Sequence, residues 1–171
     1  MKLTRPTLTR RKLIAAACLW PVAQPLRAAE ARQIMWEDLI PPGVPYSEII
    51  GEGDMDVVND TWNPIYDDNG VKLNDALHGV YIKMPGFIVP FELDARGVTD
   101  FVLVPYQGAC IHTPPPPANQ LVLVKSDQPW PVDNLWDAVW VTGRLSTQLQ
   151  STSLGQTGYA MRADKIEIYE W

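Results

Sequence analysis

The sequence predicts a mainly β protein, a small antiparallel barrel preceded by a short helical or loop-like lead-in segment. Three observations carry this. The 171 residues, 46% of them apolar, suit one ordinary globular domain. Sixteen prolines against eleven glycines disfavour a helical bundle, because proline breaks helix interiors and central strands. From Leu77 onward, five runs rich in Val, Ile, Tyr and Trp alternate with Gly, Pro, Asp or Asn, with no helix-length pattern between them. Five such strands in about 95 residues are what a small closed sheet requires.

The first 28 residues read as an export signal. Lys2, Arg5, Arg10, Arg11 and Lys12 form a basic front, Leu13–Trp20 a short apolar core, and LRAAEA a small-residue stretch suited to cleavage after Ala28 or Ala31. Eight apolar residues fall far short of the roughly 20 that span a bilayer, so no stable membrane insertion is expected after cleavage. The run Thr9-Arg10-Arg11-Lys12-Leu13-Ile14 resembles a twin-arginine signal. Ala15-Ala16-Ala17-Cys18 lacks the leucine that a lipoprotein signal would place at Ala15. The expected location is the periplasm.

Cleavage after Ala28 removes six of the fourteen Lys and Arg and none of the twenty Asp and Glu, which leaves a strongly acidic chain. Such a surface repels nucleic acid and anionic lipid and favours cations or basic partners. Residues 29–75 then form the lead-in and acidic loops. Trp36, Leu39 and Ile40 before Pro41-Pro42-Gly43 suggest one amphipathic turn, and 51–75 reads as mostly loop with one or two short extended pieces. No acidic stretch there matches the twelve-residue calcium loop. Residues 76–171 form the barrel, part of one domain with 29–75. The predicted strands are 77–84, 98–106, 120–127, 137–145 and 163–171, with a polar loop at 146–158. Pro85-Gly86 and Pro90 fit a barrel corner or bulge. Alternation places Trp140 in the core, whereas Trp130 and Trp136 flank a proline loop and are expected at the surface.

Once the signal leaves, Cys110 is the single cysteine, so no intramolecular disulfide can form. Its neighbour in an extended chain is His112, two residues on and pointing the same way. A thiolate and an imidazole so placed can share a zinc or copper ion, with His78 as third ligand. Glu92, Met84 and Asp94 are further candidates. Two other readings stand beside this one: a buried cysteine that only packs, and a reactive thiol. The sequence holds no Gly-x-Ser-x-Gly, His-Glu-x-x-His, phosphate loop, dinucleotide fingerprint or Cys-x-x-Cys, so a non-enzymatic role is expected.

The segments Gly86–Pro90 (GFIVP), Phe101–Pro105 (FVLVP) and Ala109–Gln120 (ACIHTPPPPANQ) resemble the DUF3299 family of exported bacterial proteins over roughly residues 35–171. The resemblance implies an exported domain associated with transition-metal handling and with components of ABC-type transporters. Val139–Leu145 and Tyr159–Ile166 are similar to the closing strands of OB-type barrels. Two functions follow as expectations. One is a periplasmic accessory of a transporter system that binds or handles zinc or copper through Cys110, His112 and His78. The alternative is an OB-like interaction module whose barrel face or Pro114–Pro117 loop docks another periplasmic protein, with Cys110 buried and no metal.

Overall fold

The computed structural model describes residues 30–56, 61–92, 96–109, 115–135 and 137–170. Its strands are β1 (Arg32–Gln33), β2 (Ile49–Asp56), β3 (Thr61–Tyr66), β4 (Tyr81–Pro90), β5 (Val98–Val104), β6 (Val122–Trp130), β7 (Val139–Thr152) and β8 (Gly155–Ile168). Short 3-10 turns connect them, the first at Trp36–Leu39, where a turn was expected.

Five strands close a barrel in the order β4-β5-β6-β8-β7, with β7 returning to pair with β4. This is the Greek-key order of an OB-type barrel. The barrel is not wholly antiparallel: β6 and β8 run parallel. The cause is parity. A ring of alternating directions needs an even number of strands, so five strands must contain at least one parallel neighbour pair.

Pro85-Gly86 marks the corner. β4 pairs with β7 up to Gly86↔Val139, then with β5 from Phe87↔Val104 onward. A Cβ on Gly86 would lie 2.7 Å from the Leu103 side chain and 2.8 Å from the Val104 carbonyl oxygen, so only glycine permits this close crossing. Along β4, Ile82, Met84 and Ile88 turn inward in the alternation expected of a half-buried strand. β5 is apolar on both sides for a different reason. Phe101 and Leu103 enter the barrel core, while Val102 and Val104 join Val89, Ala109 and Leu121 in a second, smaller cluster outside it.

Two expectations are corrected. The region 146–158 is not a loop, because β7 and β8 continue as a hairpin to a turn at Thr152–Gly155. The polar residues that suggested a loop belong to strands extending past the apolar core, so the hydrophobic pattern fades where the pairing does not. Of the stretch 51–75, expected as mostly loop with one or two short extended pieces, β2 and β3 supply the two, paired antiparallel and interrupted by bulges. Trp140 also lies outside the barrel, half-buried, its ring 4.9 Å from that of Tyr169 and tilted by 42°, with the Lys83 ammonium 5.1 Å from its ring centre. Its neighbours Val139 and Val141 are the inward pair. Trp130 is half-buried against the core and donates its indole N–H to the Asn134 carbonyl; Trp136 lies outside the described residues.

The lead-in segment is part of the core. Ile34, Trp36, Leu39 and Leu77 pack with the inward side chains of the barrel. Tyr159 on β8 fastens this junction: its buried hydroxyl donates to the Leu39 carbonyl and accepts from the Asn74 amide at 2.6 Å. Burial pushes its pKa up to about 12. The raised value means that Tyr159 stabilises the fold fully below pH 10, and that this contribution falls as pH rises from 10 toward 12. Tyr159→Phe is expected to cost about 1–3 kcal/mol at neutral pH, because the buried Leu39 carbonyl and the part-buried Asn74 amide lose their partner. Urea titrations at pH 8 and pH 10.5 should show a smaller alkaline loss in the variant than in the wild type. Equal losses would contradict the assignment.

Candidate functional site: the proline cleft

The rare segment of the sequence, CIHTPPPPANQ, is described from Pro115 onward. Cys110, His112 and Pro114 lie outside the described residues, as does Asp94. Pro115–Gln120 is described, and its last three residues form a clamp. Pro117 leads into a 3-10 turn at Ala118–Gln120, all buried. The Asn119 amide donates to the carbonyls of Asn69 at 2.8 Å and Lys72 at 3.2 Å. Gln120 donates to the Trp36 carbonyl at 3.1 Å and to that of Asn119 at 3.0 Å. These two side chains tie the lead-in segment and the Asp68–Val71 turn to the barrel. Their role as a clamp was not visible in the sequence, because the carbonyls they reach on Trp36, Asn69 and Lys72 lie 47 to 84 residues away.

Upstream of the clamp, the prolines form one wall of an open cleft of about 410 Å³. Tyr66 and Asp67 from the end of β3, the Gly70 turn, Pro115–Pro117 and Gln156 line it. Each wall has a local cause. The Tyr66 hydroxyl donates to the Pro115 carbonyl at 3.0 Å, pinning the proline segment to the β2–β3 hairpin. Proline adds its own stiffness by fixing φ. Asp67 caps the following 3-10 turn: its carboxylate accepts from the Asn69 amide at 3.0 Å and from the Ser47 hydroxyl at 2.7 Å. The Ser47 hydroxyl, followed by the Asn69 and Glu48 amides, holds the Asp67 carboxyl below its ordinary pKa. A Cβ on Gly70 would stand 3.0 Å from both the Pro117 side chain and the Ser47 hydroxyl, so the turn approaches the proline wall about as closely as a backbone can.

His78 caps the 3-10 turn before β4, and its ring is exposed. The Thr147 amide donates to its Nδ1 at 3.2 Å, and the Thr147 hydroxyl lies 2.9 Å from the same nitrogen. With Nδ1 accepting, the proton of the neutral ring sits on Nε2. Metal ligation through Nε2 needs the opposite tautomer, which would aim an N–H at the Thr147 amide. Met84 is sealed in the core, and Glu92 stands exposed beyond the far end of the ten-residue strand from His78. Among the described residues no three His, Cys, Asp or Glu side chains converge as a metal site would require.

The barrel face carries two adjoining grooves of about 600 and 560 Å³ that share Thr99, Asp100, Leu123 and Lys125. Four of their charged side chains are matched in pairs. Lys125 meets Asp100 at 2.8 Å, and Arg162 binds Asp127 through two contacts of 2.7 and 2.9 Å. The pairing lowers the Asp100 pKa and raises that of Arg162. At exposed positions such pairs are worth little.

Residues 36–168 match the family model described as a protein of unknown function, DUF3299. A crystal structure of a DUF3299 family protein from Pseudomonas aeruginosa PAO1 is 34% identical to this chain, with a TM-score of 0.67, and the match covers 83% of this chain and 98% of that one. No curated protein matches. The family model spans the lead-in turn, the hairpin, the proline wall and its clamp, and all five barrel strands, and on that ground the chain belongs to the DUF3299 family.

Proposed function

We propose that this chain is an exported, non-enzymatic binding module that docks a partner protein at the proline cleft, as the periplasmic accessory of a transporter system. The carrying observation is the pinned wall itself: Pro115–Pro117 are held between the Tyr66 hydroxyl and the buried Asn119-Gln120 clamp, beside an open cleft. A rigid apolar wall loses little conformational entropy on association, which is why proline segments recur as recognition surfaces. The test is co-purification of the tagged chain with envelope proteins. The Pro115→Gly/Pro116→Gly variant, with the clamp intact, should lose a partner that the wild type retains. Undiminished association of the variant would overturn the cleft as the docking place.

Metal handling is the second reading, carried by Cys110-x-His112 in the family's own segment. Anaerobic purification and measurement of zinc and copper per chain, for the wild type and Cys110→Ser, tests it. The reading requires bound metal in the first and a loss in the second; metal-free protein in both contradicts it.

Export belongs to the same proposal. Exchanging Arg10 and Arg11 together for lysine keeps the positive charge but removes the paired guanidinium groups, which an ammonium does not imitate. Cytoplasmic retention of that variant, read by cell fractionation, is the expected result on the twin-arginine route. Normal export would show that the signal uses the general secretory route instead.

A further inference from the structure

The β2–β3 hairpin exposes apolar side chains that the barrel does not cover. Its two strands pair with each other and, among the described residues, with no other strand. Ile49, Ile50, Met55 and Ile65 are all exposed, Ile50 and Met55 by about two-thirds, at 67% and 66%. A two-stranded ribbon is marginal alone, and exposed apolar residues on it are a hazard unless something covers or protects them.

The charges around those side chains select the occupant. From Gln33 to Val71 the chain holds nine Asp and Glu and no Lys or Arg. Glu48, Glu52 and Asp54 are exposed on or beside β2, interleaved with Ile49, Ile50 and Met55. A second copy would bring an identical acidic row against this one, and like charges placed face to face repel. The bulges between Ile49 and Gly51 and between Gly51 and Asp54 also prevent a flat edge-to-edge match between copies. Anionic lipid is refused by the same charges. The complement is a polypeptide in which basic and apolar residues alternate.

We propose that the β2–β3 hairpin is a docking surface for an extended segment of a partner protein in which Lys or Arg alternates with Val or Ile. The inference rests on the binding-module reading and names the chemistry of the partner and a surface beside the cleft. The cationic groups meet Glu48, Glu52 and Asp54 while the aliphatic ones cover Ile50 and Met55.

The full mature chain, labelled for NMR, tests this with three synthetic peptides: Lys-Val-Lys-Val-Lys-Val-Lys, Lys-Ser-Lys-Ser-Lys-Ser-Lys and Glu-Val-Glu-Val-Glu-Val-Glu. The first should shift amide signals of residues 48–56, 61–63 and 65–66, and should bind at least tenfold more tightly than either of the others. Glu52→Lys/Asp54→Lys and Ile50→Ser/Met55→Ser change exposed side chains only, and each should weaken that binding tenfold or more. Equal binding of the serine peptide, or no binding of any peptide, would overturn the proposal. Shifts confined to the cleft amides of Gly70, Val71, Ala118 and Gln156 would overturn it too while leaving the binding-module reading standing.

Discussion

Phe101→Ala is expected to lose about 3–5 kcal/mol of folding stability, the range for truncating a buried aromatic side chain. Phe101 is fully buried on β5, opposite Pro90 of β4 and Val124 of β6, and its ring is among the largest side chains in the core. Removing it leaves a void that the closed barrel resists filling, because each strand is held by neighbours on both sides. A domain of this size has a total stability of about 5–15 kcal/mol, so the variant should approach unfolding near body temperature. Chemical denaturation monitored by tryptophan fluorescence measures the change. A loss below about 1 kcal/mol would show that the barrel interior is not packed as described.

Gly143→Ala is expected to be comparably harmful, about 3 kcal/mol or more, although it adds a single methyl group. Gly143 sits on β7 between β4 and β8, where the register with β8 shifts. An added Cβ would fall 2.2 Å from the Arg162 carbonyl oxygen. That oxygen belongs to the backbone of a paired strand and has no rotamer by which to move away, so the β7–β8 ladder itself must separate. Gly43 offers the control: the space around it is open, but its φ of +82° disfavours alanine. Gly43→Ala should therefore lose about 1 kcal/mol through backbone strain alone. Similar losses in both variants would contradict the steric account of Gly143.

The barrel strands were legible because Val, Ile and aromatic residues recur between proline and glycine breaks, and Pro85-Gly86 announced the corner where β4 changes partners. The parallel β6–β8 pair was not legible, since strand direction follows from closing a ring of five and no short-range pattern records it. The outer half of the β7–β8 hairpin was hidden by its polar composition; in the acidic stretch short extended pieces were legible, but the pairing of β2 with β3 was masked by acidic residues and bulges that break the alternation. In the candidate site, the proline run stood out by rarity alone. Asn119 and Gln120 carried no signal for their clamping role, and neither did Tyr66 for its hold on Pro115. His78 was selected by residue type, yet its Nδ1 is committed to Thr147, a partner 69 residues away that no spacing rule would find.

The central claim is that the proline cleft docks a partner in the periplasm. Site-specific photocrosslinking in living cells tests it most directly, with the reactive residue placed at Gln156 on the lip of the cleft and, as a control, at Asp133 in an exposed turn outside it. The account predicts one discrete adduct from Gln156 that disappears in the Pro115→Gly/Pro116→Gly background, and none from Asp133. No adduct from Gln156, or an adduct that survives the double glycine substitution unchanged, would contradict it.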